Sequence, residues 1–395
     1  MDLIKIFDIQ SSGREEEQDE DNSIMEACFK AFDKDEDNSL NISEFSSLLK
    51  ALFRNEKGKP YTVNEQMCND IFNIFNRQGD GSMNKEEFAY CWNNWIKKIV
   101  RPKSALVIVD VQNDFISGSL SISDCPAGEN GEEVVPPINK LIESVPFDMI
   151  CYSLDWHPLD HISFVDNVHT RKLAPESKIK DPNKASVRET VVFEGPPKTE
   201  QILWPAHCVQ ESWGAELHKD LKQAENAIII HKGCNPDLDS YSAFFDNKKL
   251  GHTKLEEILR NANIQDLYIC GIATDVYVAS TAKHAIELGF RTILMEDCSR
   301  GITTEDIQRT FENITSNRGL VLNSPMVKPM VQGRDRRLEL GFQLAIECRK
   351  KILYCPKNKN SKFNPVPVDD MGRPLKPLPS KEETLGNNPP IETTA

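Results

Sequence analysis

Six side chains able to move a proton, hold a metal or support a nucleophile sit at the ends of apolar runs in this 395-residue sequence. Asp110 closes "ALVIVD", and Asp155 and His157 follow in "LDWHPLDHISF". Those two are two residues apart, hence on one face of an extended chain. His161 comes after a short turn, His207 lies in "WPAHCV", and Lys232 ends "IIIHKG". One carboxylate with several imidazoles suits Zn, Fe or Mn better than Ca or Mg. A lysine beside a carboxylate and a metal could position a nucleophile or hold a charge relay. Each residue alone has a plainer reading, as a helix cap, a core histidine or a surface ion pair. Three of only eight histidines falling in such segments shifts the balance toward a site.

A second chemistry appears earlier. "DKDEDNSLNISE" places oxygen donors at positions one, three, five, seven, nine and twelve of a loop: Asp33, Asp35, Asp37, Ser39 through its carbonyl, Asn41 and Glu44. A calcium-sized cation wants several oxygens, closed by a bidentate carboxylate. Asn38 stands where a glycine would be usual, and asparagine tolerates the left-handed conformation better than most residues. The second loop, "NRQGDGSMNKEE", offers Asn76, Gln78, Asp80, Ser82, Asn84 and Glu87, with only two carboxylates, so its binding should be weaker. Leu40 and Met83 hold matching positions for pairing the loops, and Phe29, Phe32, Phe45, Leu48, Leu49 and Leu52 follow helical spacing around the first. Together, residues 23–98 resemble an EF-hand pair with one competent loop and one weak or purely structural one.

The elements that must position these groups fall into four regions. Residues 1–22, ending in "REEEQDED", have the composition of a solvated, disordered lead-in. Residues 23–99 carry the helical pair. Residues 104–355 alternate helical patterns with six apolar runs, "ALVIVDVQ", "DMICYSLDWH", "AIIIHKG", "LYICGIA", "RTILMEDC" and "GLVLN". Such alternation predicts a three-layer α/β/α fold around a mostly parallel sheet of about six strands. Residues 356–395 form a polar, Pro-rich tail, predicted to be disordered, whose "PLKPLP" could dock an SH3-type groove. A net charge of -14 argues against nucleic acid or an anionic membrane as partner. The acidic N-terminal segment lacks an apolar signal-peptide core, and eleven cysteines without CxxC or framework spacing read as reduced thiols. Cytoplasm, with the nucleus also open, is the expected compartment, and a homo-oligomer remains open.

The ordered segments "DVQNDF", "DWH…H.SF", "WPAHCV", "HKG", "GIATDV" and "RTILMEDCSRG" resemble the nicotinamidase branch of the isochorismatase-like hydrolases. That resemblance implies hydrolysis of nicotinamide to nicotinate and ammonia, in NAD salvage, by a Cys, Asp and Lys triad beside a divalent metal that binds the pyridine nitrogen. It makes Asp110 the general base and Lys232 the triad lysine. Asp155, His157 and His207 become metal ligands, with His161 additional or water-mediated, and zinc comes first with iron or manganese open. Phe115 and Trp204 match pocket walls. Ile272-Ala273 matches the family's cis peptide, and the N–H groups of Ala273 and residue 277 match the oxyanion hole.

The family nucleophile belongs four residues past Ala273, and there the chain has Tyr277. A phenol with a pKa near ~10 is a poor substitute for a thiolate, and its ring projects into the space the pyridine needs. Cys270 lies back in the strand and Cys208 in "HCV", so neither takes over the position. Three readings stand: a pseudoenzyme that senses nicotinamide or scaffolds a partner, a variant of an active nicotinamidase, or weak hydrolysis by metal-activated water with Asp110 as base.

Overall fold

In the computed structural model, residues 18–354 are described; the rest of the acidic lead-in and the Pro-rich tail with its "PLKPLP" lie outside them. Contacts divide the chain into Met1–Ala345 and Ile346–Ala395. The first unit holds both the helical pair and the large sheet. The described part of the second is the end of one helix.

The helical pair opens with α1 (Gln18–Phe32), so its first turn falls within the stretch expected to be disordered lead-in. The cause is tertiary: the Asp21 carboxylate accepts from Lys97 Nζ at 2.7 Å and from Trp92 Nε1 at 3.4 Å. The strands β1 (Ser39–Asn41) and β2 (Ser82–Asn84) join the loops, with Leu40 opposite Met83. Between them run α2 (Ile42–Leu52) and α3 (Glu65–Phe75). Asn41 and Glu44 form a reciprocal capping box at the start of α2, and Asn84 and Glu87 repeat it at α4 (Lys85–Cys91). A π-type turn, Trp92–Ile96, and α5 (Lys97–Val100) carry the chain to the sheet with only residues 101–103 between.

The six strands lie where the apolar runs predict. They are β3 (Ser104–Val109), β4 (Met149–Asp155), β7 (Ile228–Lys232), β8 (Asp266–Ile272), β9 (Arg291–Arg300) and β10 (Leu320–Leu322). Their order is β10-β9-β8-β3-β4-β7, and every pairing is parallel. The central strands β3 and β8 are buried along their whole length, as a sheet covered on both faces requires. Helices α6 (Val135–Ser144), α7 (Leu255–Asn261), α8 (Ala279–Glu287) and α9 (Thr304–Ser316) complete the layers, and α10 (Leu338–Tyr354) follows, with residues 338–345 in the same unit. The chain runs outward from β3 in one direction, then returns to build β8 on its other side. This switch point leaves a crevice at the carboxyl ends of β3, β4, β7 and β8. The long connection from β4 to β7 folds over that crevice on the hairpin of β5 (Thr190–Phe193) and β6 (Thr199–Ile202). Its own small core is Ile162, Val168, Val191, Phe193 and Leu203.

Candidate active site

Strand register brings the charged groups together. Asp155 and Lys232 are direct neighbours across β4 and β7, and Val109, just before Asp110, pairs with Ser153. Lys232 Nζ lies 2.7 Å from Asp110 Oδ2, 2.5 Å from Asp155 Oδ1 and 3.1 Å from the Ser240 carbonyl, wholly buried. Burial opposes the ammonium, but Asp110 and then Asp155 overcome it and hold Lys232 above its ordinary value. Asp110 is pushed up from the usual carboxylate range by burial, against the pull of Lys232. Asp155 is also opposed by burial, yet Lys232 and His157 hold it below that range. Proton and charge are thus unequally shared between two carboxylates around one ammonium. Ser153 Oγ donates to Asp110 Oδ1 at 2.8 Å.

Donor atoms of Asp155, His157 and His207 fall within 4.8 Å of one another, as do those of His157, His161 and Asp239. The ring of His157 is stacked 4.0 Å from His161 and lies 5.0 Å from His207. Outer contacts orient two of the rings: His157 Nδ1 meets the Gly233 carbonyl at 2.9 Å, and His207 Nδ1 the Pro205 carbonyl at 2.8 Å. A donor at each Nδ1 leaves Nε2 with its lone pair, the usual arrangement behind a metal-binding imidazole. Gly233 has φ +64° and a Cβ there would overlap His157, so this contact needs glycine. His161 Nε2 is buried without a hydrogen-bond partner, and Asp155 Oδ2, likewise without a hydrogen bond, lies 3.5 Å from His157 Nε2. Burial, then the neighbouring His157, pushes His207 down to about 4, and His161 is lowered by the same causes. Two imidazoles held neutral, His161 and His207, beside His157 and the Asp155 carboxylate, whose Oδ2 makes no hydrogen bond, fit a divalent transition metal.

Beyond these groups, β8 ends in a cis Ile272–Ala273 peptide and a π-type turn, Thr274–Val278. The Ala273 carbonyl accepts from the N–H groups of Val276 at 3.2 Å and Val278 at 3.0 Å, which bracket Tyr277. The Tyr277 ring is buried, with its centroid 5.3 Å from that of Phe115, 5.8 Å from Tyr241 and 4.2 Å from Lys232 Nζ. Phe115, Trp204, Ala273, Tyr277 and Cys125 line what space is left, a cavity of about 20 Å³. One water fits there. Burial, then Asp155 and Asp239, pushes the Tyr277 phenol well above its ordinary value, so it stays protonated. Cys208 and Cys270 are buried, and burial raises both thiols.

Several contributors escaped sequence reasoning. Asp239 sits beside His157 and His161, held by Gln201 Nε2 and by the Ser240 N–H, each at 2.8 Å. Gln112 accepts from the Asp155 N–H and donates to the Asp155 carbonyl, both at 2.8 Å, fixing the end of β4. Asp114 accepts from the Cys208 N–H at 2.7 Å. Gln112 and Asp114 lie inside "DVQNDF", where polar residues just beyond a strand end were the available signal; Asp239, seven residues past Lys232, carried none.

In the helical pair, donors of Asp33, Asp35 and Glu44 gather within 4.8 Å, and Asp33 Oδ1 has no hydrogen-bond partner. Asp37 accepts from Ser39, and Asn38 does take a left-handed φ of 66°. At the second loop, Glu87 accepts from the Gln78 and Asn84 N–H groups, Asn76 from Gly79 and Asp80 from Ser82. No such carboxylate group forms at the second loop among the described residues.

A family description, "Isochorismatase domain", matches residues 104–324. The chain belongs to the isochorismatase family. A second description, "EF-hand domain pair", matches residues 21–91. Nicotinamidase of Escherichia coli is 36% identical over 207 residues, 52% of this chain and 86% of that protein. Nicotinamidase of Saccharomyces cerevisiae is 33% identical over 207 residues, 51% of this chain and 89% of that protein. A solved nicotinamidase structure from Acinetobacter baumannii is 33% identical, covering 57% of this chain and 98% of that one, at a TM-score of 0.48. This family member is thus a nicotinamidase-type hydrolase domain joined to an EF-hand pair. No helix among the described residues is long and apolar enough to cross a membrane.

Proposed function

We propose that this chain keeps the metal centre and charge relay of a nicotinamidase but is disarmed at the nucleophile, binding a transition metal while turning nicotinamide over poorly or not at all. The observation that carries this reading is the Tyr277 ring, which leaves about 20 Å³ in the pocket. Sites for small molecules run to ~300 Å³ and more. A buried, protonated phenol also lacks the thiolate's nucleophilicity.

Asp155, His157 and His207 would hold the metal, with zinc the first choice, and His161 and Asp239 lie close enough to complete or tune the set. Bound there, the metal would supply a Lewis acid able to anchor a pyridine nitrogen. Asp110, with its raised proton affinity, is placed to accept a proton from a nucleophile at position 277. Lys232 pairs with both carboxylates, and backbone N–H groups at Ala273 and Tyr277 would face a developing oxyanion. Replacing Tyr277 by cysteine would restore the missing thiol and clear the pocket in one step.

The test is ammonia release from nicotinamide by purified protein beside Tyr277→Cys. Activity in the variant alone supports a disarmed site. Activity in both sinks the reading, and activity in neither favours a binding module that senses nicotinamide or scaffolds a partner. Substituting His207→Ala should lower bound transition metal, and unchanged content would remove His207 from the ligand set.

A further inference from the structure

The EF-hand pair does not end at its own helices. The first two turns of α10, residues 338–345, lie against its apolar face. Trp95, ringed by Phe45, Phe53 and Phe75 at centroid distances of 5.3 to 6.4 Å, donates its indole N–H to the Gly341 carbonyl at 2.7 Å in a buried bond. A Cβ at Gly341 would overlap the Phe53 ring, so the helix backbone approaches as closely as glycine allows. Leu338, Leu344 and Ala345 are buried too, while on its other side the segment meets the large sheet, Leu340 joining that core and Gln343 donating to the Phe290 carbonyl at 2.8 Å. The turn just before α10 grips the far end of α2. Buried Arg336 donates from Nε to the Leu52 carbonyl at 2.5 Å and from its backbone N–H to the Arg54 carbonyl at 2.9 Å. The Tyr61 hydroxyl donates to Asp335 at 2.6 Å.

This is helix-in-groove recognition within one chain. EF-hand pairs that respond to calcium do so by moving their helices and changing what their apolar face can hold. Here α2 starts at the loop, with Glu44 in its first turn, and ends about 16 Å away at the Arg336 clamp. The first loop fits a hard cation, with three gathered carboxylates and an unpartnered Asp33 oxygen. A bound ion would draw those carboxylates together.

We propose that residues 333–345 are the built-in target of the EF-hand pair, so that calcium at the first loop and the seating of this segment are thermodynamically linked. Linkage is reciprocal: if calcium favours the seated segment, the seated segment raises calcium affinity by the same factor. The pair meets the sheet at the amino ends of its strands, where the Arg291 guanidinium, paired with Asp266, donates to the Lys98 carbonyl at 2.9 Å. The metal-binding histidines lie at the opposite ends. Calcium is therefore expected to tighten the seat of α10 without changing transition-metal content.

The test uses the full chain, with amide hydrogen exchange read by mass spectrometry with and without calcium chloride, and calcium titrated by calorimetry. Calcium should slow exchange in residues 33–44 and also in residues 333–345. Glu44→Gln should abolish both effects. Gly341→Val, which forces the helix off Phe53, should weaken calcium binding on the order of tenfold. Arg336→Met keeps the stem but removes the clamp, and should weaken it in the same direction if Gly341→Val fails to fold. The proposal is overturned if the parent binds no calcium, or if residues 333–345 exchange equally with and without it. It is equally overturned if residues 333–345 still respond in Glu44→Gln, or if the folded clamp variants bind calcium as the parent does.

Discussion

Replacing Tyr277 by cysteine should make the protein less stable and, in the same step, make it a binder of nicotinamide. The ring is buried between Phe115 and Tyr241 and lies under the Lys232 ammonium. Truncating a buried aromatic costs about 3–5 kcal/mol, of which the void contributes ~24 cal/mol per Å³. The void here joins an existing cavity of about 20 Å³ and opens toward polar groups, so water enters and the cost falls to the low end, about 3 kcal/mol. Ligand that binds only the folded state restores about 2.7 kcal/mol at a hundred times its Kd. Urea unfolding with and without nicotinamide measures both quantities. The variant's midpoint should drop without ligand and return most of the way with it, while the parent's midpoint should not respond. An equal ligand shift in the parent would refute the reasoning, because the ring would then be leaving the pocket. Truncation at no cost would refute it too, since the ring would not be packed.

Lys232→Met should destabilise the fold by about 3–5 kcal/mol in urea, because it leaves Asp110 and Asp155 buried without their counter-charge. Adding Asp110→Asn should recover part of that loss, and strict additivity would show that the groups are not coupled. Metal-free protein should lose stability in acid. His207 is held neutral down to about 4 against an ordinary value of 6.5, so between these the unfolded chain binds more protons. This contribution is complete above pH 6.5 and vanishes as pH falls toward 4, about 3 kcal/mol in all. His157, raised by Asp155 against its burial, offsets part of it. Urea midpoints at pH 7.5 and 4.5 should converge in His207→Gln, and an unchanged pH slope there would contradict the assignment. In the Tyr277→Cys background, Cys125→Ser should leave ammonia release unchanged, and its loss would shift the attack to the cavity-wall thiol.

All six strands of the sheet were legible because each is a run of apolar residues long enough to be buried on both faces, and helical runs separate them. Asp110, Asp155 and Lys232 were legible for the same reason, as charged residues at the ends of such runs. Asp239 was not, since it sits in a loop where acidic residues are ordinary, and only the fold brings it to His157. Nor was the first turn of α1, whose acidic sequence reads as solvated until Lys97 and Trp92 meet Asp21 across the fold. The seating of α10 on the EF-hand pair left no sequence signal at all. It depends on Gly341 and Arg336, residues whose types are unremarkable until Phe53 and the Leu52 carbonyl are beside them.

Retention of Lys232 with Asp110 and Asp155 beside Tyr277 has an account that needs no selection for turnover. Two carboxylates and one ammonium are buried together, and removal of Lys232 leaves both carboxylates without a counter-charge in a low-dielectric interior, whereas loss of either carboxylate still leaves a one-to-one pair. The lysine is therefore fixed by folding as long as the carboxylates are there, whether or not a thiol faces it. Tyr277 joins the cluster without adding charge, because its phenol stays protonated and its ring lies 4.2 Å from the ammonium. A thiolate at the same position would bring another negative charge and would lean on Lys232 in a different way. The relay alone is thus weak testimony for catalysis. The stronger testimony is the set of oriented imidazoles around Asp155, with His161 Nε2 and Asp155 Oδ2 buried and without hydrogen bonds, because buried polar atoms left unsatisfied cost stability unless something else binds there. Metal content and ammonia release therefore answer separate questions about this chain, and the first can be affirmative while the second is not.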